Sequence, residues 1–336
     1  MHESQILAAA TMIPEPIYTR TSMPATPRLS IVVPCYNEQE VLPETVRRLT
    51  ALLAKLINGG KIGTDSNVFL IDDGSSDRTW ALIKEFHLQD NRIKGIKLSS
   101  NRGHQTALIA GLFAADGDAI VSIDADLQDD VTAIEAMLDA YHQGHEVVYG
   151  VRQRRTTDTV FKRMSAEGYY SILKMLGVKI VFNHADYRLL SRRALESLKQ
   201  YTEVNLFIRG IVPLIGFRST TVYYDRAERF AGESKYPLKK MLALAIDGVT
   251  SFSAFPLRLI ASLGMLVSFG SIAMVAWVLW IKLFTTQAIP GWASSVIPIY
   301  FLGGIQLLSI GVLGEYVAKI YFETKRRPRY FIEEAL

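Results

Sequence analysis

From Leu29 to Tyr149, short apolar runs alternate with longer stretches of helical period. Leu29–Val33 is an apolar, β-prone run closed by Pro34, and a strand is expected there. Val41–Ile57 follows with the spacing of an amphipathic helix. Val68–Ile71 predicts a second strand, and Asp77 is placed to cap a helix over Arg78–His87. Ile93–Leu98 predicts a third strand. Asn101–His104 turns into a helix over Gln105–Ala115. Ile120, Val121 and Ile123 form a fourth strand after Gly117. A helix near Val131–Gln143 and a fifth strand over Glu146–Tyr149 complete the run. Strand–helix repeats at this spacing predict a mainly parallel, doubly wound α/β sheet, whose ligands bind beyond the carboxyl ends of the strands. The polar clusters Pro34–Glu38, Asp72–Asp77 and Asp124–Gln128 all fall at those ends. Turn formation accounts for one such cluster more easily than for three along one edge.

The fourth strand runs into Asp124-Ala125-Asp126-Leu127-Gln128. Alternate residues of an extended chain share a side, so Asp124 and Asp126 are expected side by side. Two carboxylates held there repel each other and lose hydration. A divalent cation relieves both costs, and Mg²⁺ commonly sits between one or two carboxylates and a substrate phosphate. No Gly-x-Gly-x-x-Gly follows the first strand, and no Gly-Lys-Ser/Thr phosphate loop occurs anywhere. Both absences argue against a dinucleotide oxidoreductase and a P-loop NTPase.

The last third differs in kind. Leu259–Ile281 and Leu283–Gly314 carry no charged residue, and 49% of the whole chain is hydrophobic. About 20 apolar residues suffice to span a bilayer. Two spans are therefore expected, near Leu257–Phe284 and Val296–Tyr321, with Pro290 and Gly291 in the link. Arg258 precedes the first, and Lys325, Arg326, Arg327 and Arg329 follow the second. By the positive-inside rule both termini face the cytoplasm. Between sheet and spans, Leu238, Met241, Leu242, Ala245, Val249 and Phe252 recur at helical spacing, which predicts an amphipathic helix over residues 237–255 lying in the headgroup region. The expected organisation is a disordered, proline-containing tail (1–28), a catalytic domain (29–236), the interfacial helix (237–255), a two-helix membrane domain (256–322) and a basic tail (323–336). The net charge of +4 is concentrated locally, which points to local anionic partners and away from nucleic acid. Cys35 is the lone cysteine, so no intramolecular disulfide or cysteine-based zinc site exists.

Val32-Val33-Pro34-Cys35-Tyr36-Asn37-Glu38, Asp72-Asp73-Gly74-Ser75-Ser76-Asp77-Arg78-Thr79 and Asp124-Ala125-Asp126-Leu127-Gln128 together resemble the signature of family 2 glycosyltransferases of the GT-A fold. Asp186 to Arg192, Arg226-Ala227-Glu228-Arg229, Gly232 to Tyr236, Gly314-Glu315-Tyr316 and Arg327-Pro328-Arg329-Tyr330 resemble the polyprenyl-phosphate branch, nearest to bactoprenol glucosyltransferases and more distantly to dolichol-phosphate mannose synthases.

The resemblance implies a Rossmann-like GT-A domain anchored to the inner membrane, with access to cytosolic nucleotide sugars. Pro34, Tyr36, Glu38 and Asp73 would line the nucleotide pocket, with Asp124, Ala125, Asp126 and Gln128 at the donor diphosphate. Asp124, Asp126 and Gln128 would hold Mg²⁺ or Mn²⁺. Arg152 would meet the acceptor phosphate with Arg163, for which Lys162 is an alternative, and with Arg226, Arg229, Ser234 and Lys235 on a basic loop. Asp186 is the family's candidate for base or acceptor positioning, and pairing with Arg188 is its alternative. The implied reaction is metal-dependent, inverting transfer of a sugar to polyprenyl phosphate, with UDP-glucose the foremost donor and UDP-N-acetylglucosamine, GDP-mannose or an aminoarabinose derivative as alternatives. Family analogy allows a homotetramer. A processive polysaccharide synthase is disfavoured by the lack of Gln-x-x-Arg-Trp. A non-catalytic lipid-binding protein would not need the sheet-edge clusters.

Overall fold

The computed structural model describes residues 23–152, 184–203, 208–225, 255–284 and 292–336. The expected N-terminal tail up to residue 22, the interfacial helix over 237–254 and the link at Pro290 and Gly291 lie outside them.

The centre is an eight-stranded sheet in the order β7-β5-β6-β4-β1-β2-β3-β8. Its strands are β1 (Leu29–Cys35), β2 (Asn67–Asp72), β3 (Ile93–Leu98), β4 (Ala119–Ser122), β5 (Val147–Arg152), β6 (His184–Ser191), β7 (Ser219–Tyr224) and β8 (Ile332–Ala335). β1 pairs in parallel with β2 and β4, β2 with β3, and β5 with β7. β6 is antiparallel to both β4 and β5, and β8 is antiparallel to β3. The sheet is thus mixed, with parallel strands predominating as the alternation predicts.

Helices cover both faces, which is why the central strands read as nearly unbroken apolar runs. On one face α1 (Leu42–Asn58) and α4 (Ala133–His142) pack Leu49, Leu53, Ile134 and Met137 against Ile31 and Val33. On the other, α3 (His104–Ala114) and α5 (Arg192–Lys199) pack Leu108, Leu112 and Leu195 against Val32 and Ile71. α2 (Thr79–Gln89) lies against β3, burying Ile83, and α6 (Ile208–Ile211) is a single short turn. α3 comes so close to the sheet that a Cβ at Gly111 would lie 2.6 Å from Ile71 Cγ1 and also strike Val32. Gly111→Ala should therefore lose about 1–3 kcal/mol by overpacking, although alanine favours the helix. A lower unfolding midpoint checks this, and an unchanged or raised one contradicts it.

Three details depart from the sequence reading. β1 does not stop at Pro34 but continues to Cys35, with Pro34 opposite Ile71 and Cys35 opposite Asp72. The ladder to β4 has ended at Val32–Ser122, so proline's missing N–H leaves no bond unmade. α2 begins at Thr79, and Asp77 accepts from the Thr79 N–H at 2.9 Å, a cap just ahead of the expected helix. Ile332–Ala335 is not part of a free tail. It forms the edge strand β8, with the Leu336 N–H donating to the Gly95 carbonyl and Trp80 Nε1 to Glu334 Oε2 at 3.0 Å.

Before β8 run two long helices, α7 (Phe255–Phe284, 30 residues) and α8 (Trp292–Lys325, 34 residues), with Pro298 inside the second. Among the described residues no helix is long and apolar enough to cross a membrane, so the structure does not bear out the two spans expected near Leu257–Phe284 and Val296–Tyr321.

Candidate active site

The loops after β1, β2, β3 and β4 are bound to one another at the carboxyl edge of the sheet. The Asp73 N–H donates to the Cys35 carbonyl, which fixes the β2 end against the β1 end. Asn37 N–H donates to Ser75 Oγ, Asn37 Oδ1 accepts from the Ser76 N–H, and Glu38 N–H donates to Thr79 Oγ1. Gly74 has φ +67°, and a Cβ there would lie 2.6 Å from Asn101 N, so only glycine fits this crossing. The Asp73 carboxylate is buried and accepts from the backbone N–H groups of Arg102 (2.8 Å) and Gly103 (2.9 Å). Burial pushes its pKa up, and those two donors only partly offset the rise. Asp73 thereby holds the start of α3 over the site. Tyr36 stands 48% exposed at the end of β1, an aromatic face open to a ligand.

His104, the first residue of α3, lies between two carboxylates. Its Nε2 is 3.4 Å from Asp124 Oδ1 and 3.6 Å from Asp186 Oδ2. Asp186 reaches this point because β6 pairs with β4, setting Arg188 opposite Ser122. Its Oδ1 accepts from Arg188 Nη2 (2.6 Å) and Arg209 Nε (3.1 Å), and its Oδ2 from Arg209 Nη2 (2.8 Å). Burial alone would raise the Asp186 pKa, but His104, Arg209 and Arg188 outweigh it and hold the carboxyl well below its usual range. Asp124 shows the reverse. Burial is the largest influence and lifts it from 3.8 to about 6, with the negative charges of Asp186, Asp129 and Asp126 adding to the rise and His104 opposing it. Burial would lower the His104 pKa; contact with Asp186 and the nearby Asp124 charge raise it instead.

Beyond Asp124, Ala125 is buried and its carbonyl accepts from Thr45 Oγ1 at 2.8 Å. Leu127 is a buried non-glycine residue at φ +56°, a strained turn that folds the loop back. The Gln128 N–H then donates to Asp126 Oδ1 at 3.2 Å. Asp129 follows, buried, and its Oδ1 accepts from Tyr224 Oη (2.6 Å) and Arg152 Nη2 (3.2 Å). The expected acceptor arginine thus sits at the end of β5, bound to the loop that carries Asp124 and Asp126. Among the described residues, no three His, Cys, Asp or Glu side chains converge as a ready-made metal cage. The hard oxygen donors of Asp124, Asp126 and Gln128 still suit an ion that takes its remaining ligands from water and a diphosphate.

The structure therefore brings together Pro34, Tyr36, Glu38, Asp73, Asp124, Ala125, Asp126, Gln128, Arg152 and Asp186. Arg163, Arg226, Arg229, Ser234 and Lys235 lie outside the described residues.

Residues 30–199 match the sequence profile of Glycosyl transferase family 2. The chain belongs to that family. This family 2 glycosyltransferase is 51% identical over 309 residues to the uncharacterized glycosyltransferase YkoT of Bacillus subtilis (strain 168), covering 91% of each chain. It is 38% identical over 310 residues to the prophage bactoprenol glucosyl transferase homolog of Escherichia coli (strain K12), covering 91% of this chain and 98% of that one. With the bactoprenol glucosyl transferase of Shigella phage SfII it shares 38% identity over 312 residues, covering 92% and 98%. The enzyme is a glycosyltransferase, as its loop motifs imply.

Two groups of this glycosyltransferase's site, His104 and Arg209, lie outside the sequence motifs. His104 was legible only as the end of a polar turn after the third strand. Arg209 gives no local signal, because its partner Asp186 is distant in sequence and meets it only through tertiary packing.

Proposed function

We propose that the enzyme transfers glucose from UDP-glucose to a polyprenyl phosphate at the cytoplasmic face of the membrane, with inversion and with Mg²⁺ or Mn²⁺. The observation that carries this reading is the convergence of the Asp124–Gln128 loop with the Asp73, His104 and Asp186 groups at one sheet edge. The choice of lipid acceptor and sugar rests on similarity to proteins named bactoprenol glucosyl transferase.

Asp124, Asp126 and the Gln128 side chain would hold the cation, whose chemistry is to offset charge on a departing diphosphate. Pro34, Tyr36, Glu38 and Asp73 take the nucleotide. The acceptor phosphate is mostly dianionic at neutral pH and is already a nucleophile, so no strong general base is required. What the protein must supply is positive charge and alignment for two anions. Arg152 and Arg209 offer guanidinium groups within the described site, and Arg163, Arg226, Arg229, Ser234 and Lys235 would join them on the acceptor side. Asp186, held by two arginines, serves to aim Arg209 and His104 and is poorly placed to take a proton.

The two long helices are read as membrane spans. Support comes from the full sequence: Leu259–Ile281 is free of charge, and a helix of 30 residues is about 45 Å long. β8 is hydrogen-bonded to β3, which favours a hairpin whose two ends lie on the side of the catalytic sheet. A cysteine at Ser294, in a Cys35→Ser background, should react with an impermeant thiol reagent added to intact cells, and one at Glu333 should not. The opposite pattern refutes the topology. For the activity, the detergent-purified full chain is incubated with polyprenyl phosphate, Mg²⁺ and a panel of labelled nucleotide sugars. Label entering the lipid fraction from UDP-glucose is the expected outcome. Label from UDP-N-acetylglucosamine, GDP-mannose or an aminoarabinose donor instead corrects the sugar, undiminished turnover in excess EDTA removes the metal, and no lipid product with any donor removes the acceptor.

A further inference from the structure

α8 ends in Lys325, and the next five residues include Arg326, Arg327 and Arg329. Arg326 has φ +45°, a left-handed conformation that ends the helix and turns the chain along the flank of the catalytic domain. Arg329 then donates from Nη2 to the Tyr201 carbonyl (3.0 Å) and the Glu203 carbonyl (2.6 Å), and Tyr330 packs against the core beneath α3 and α5. None of the side chains gathered at the transfer site described above comes from this Arg-Pro-Arg-Tyr segment. Together with Phe113 and Lys199 it walls a cleft of about 780 Å³.

The cleft is cationic. Lys199, Arg326, Arg327 and Arg329 line it, against the single carboxylate of Glu323. Lys199 is drawn to Glu196 at 2.8 Å and lies over the Phe113 ring. Backbone carbonyls hold the Arg329 guanidinium, and the Glu203 and Glu323 carboxylates lie near enough to offset part of its charge, which leaves Arg326 and Arg327 as the main cationic groups. Arg326 and Arg327 are exposed, and neither is paired with a carboxylate among the described residues. Two guanidinium groups beside an aromatic wall suit a phosphate that carries an apolar tail, since arginine binds phosphate through paired N–H donors. One wall belongs to the end of α8 and the other to the catalytic domain, so a ligand here touches both.

We propose that this cleft binds the phosphate of an anionic phospholipid headgroup, at a site separate from the transfer site, and so ties the catalytic domain to the membrane surface. The proposal rests on the reading of α8 as a membrane span, which places the cleft at the cytoplasmic headgroup level. That leaflet is anionic and attracts basic residues next to a span.

The test uses the full chain purified in a neutral detergent, with phosphatidylglycerol, phosphatidylcholine and inorganic phosphate as probes in native mass spectrometry. Wild-type protein should retain phosphatidylglycerol in preference to phosphatidylcholine. Arg326→Gln/Arg327→Gln should weaken that retention about tenfold or more. Arg326→Lys/Arg327→Lys should recover part of it. Excess inorganic phosphate should not displace the lipid, because it lacks the tail. Equal retention of both lipids, unchanged retention in the Gln variant, or full displacement by inorganic phosphate would each overturn the proposal. Carbonate extraction of membranes holding wild-type protein tests the span reading separately. Release into the wash refutes the span whatever the adducts show, whereas resistance to the wash with no lipid preference refutes the cleft alone. Both arginines are exposed, so the substitutions leave the packed core and β8 intact.

Discussion

Asp124→Asn is expected to abolish sugar transfer and, in metal-free protein at neutral pH, to make the fold more stable. The reason is the price of an ionised carboxylate at this position. Burial and the neighbouring charges of Asp186, Asp129 and Asp126 lift its titration from 3.8 to about 6. An elevation of that size disfavours the folded state by up to about 3 kcal/mol once the group is ionised. The side chain is 32% exposed, so solvent screening reduces this to about 1–2 kcal/mol. The sign follows from proton binding. Between about pH 4 and pH 6 the folded chain binds more protons at Asp124 than the unfolded chain does, so its contribution to stability falls as pH rises through that window. Below it both states are protonated and the penalty is absent; above it the penalty is complete. Asparagine removes the ionisation. The difference in unfolding free energy between variant and wild type should therefore open from near zero at about pH 4 to its full value by about pH 7. Added Mg²⁺ or Mn²⁺ should reverse the order, because only wild type gains stability from binding the ion. A variant that is less stable at pH 7, or a difference that does not change with pH, would show that Asp124 is not under this electrostatic load.

The central strands announce themselves because parallel strands covered on both faces must be apolar throughout, as Ile31 to Val33 and Val68 to Ile71 are. The ligand edge was legible for a related reason. Polar clusters at the carboxyl ends of Val33, Ile71 and Ile123 have no role in the core and fall together once the sheet is parallel. The remaining parts depend on contacts that no local pattern encodes. His104 meets Asp124 and Asp186 only because Asp73, on another loop, holds the N–H groups just ahead of it. Arg188 lies in a strand and is fully buried, a placement its chemistry argues against until Asp186 is seen beside it. β8 is Ile-Glu-Glu-Ala, with little β signal of its own. Lys97 meets Glu333 at 3.1 Å and Lys84 meets Glu334 at 2.7 Å, so charge complementarity along β3 and α2 accompanies the pairing where propensity is weak.

Asp186 and Arg188 provide the second large effect, and it separates a proton-taking role from an organising one. Arg188 is wholly buried, with Nη2 2.6 Å from Asp186 Oδ1. Asp186→Asn leaves that guanidinium in the core without its counter-charge, a change expected to lose about 3–5 kcal/mol. Arg188→Met should lose less, because Asp186 keeps Arg209 and His104 as partners and methionine fills much of the space. The double variant should be more stable than Asp186→Asn alone, since the stranded charge is gone; a double-mutant cycle over thermal or denaturant unfolding reads this coupling. Activity should not return with stability. Arg209 would still lack its anchor, so the double variant should show a raised KM for the acceptor lipid. A carboxyl held well below its usual range stays ionised across the working pH range, so Asp186 should contribute no acid limb to the pH–rate profile. An acid limb between about pH 5 and 7 that disappears in Asp186→Asn, together with a fall in kcat at unchanged acceptor KM, would make Asp186 the base. An acid limb that persists in the variant belongs to another group.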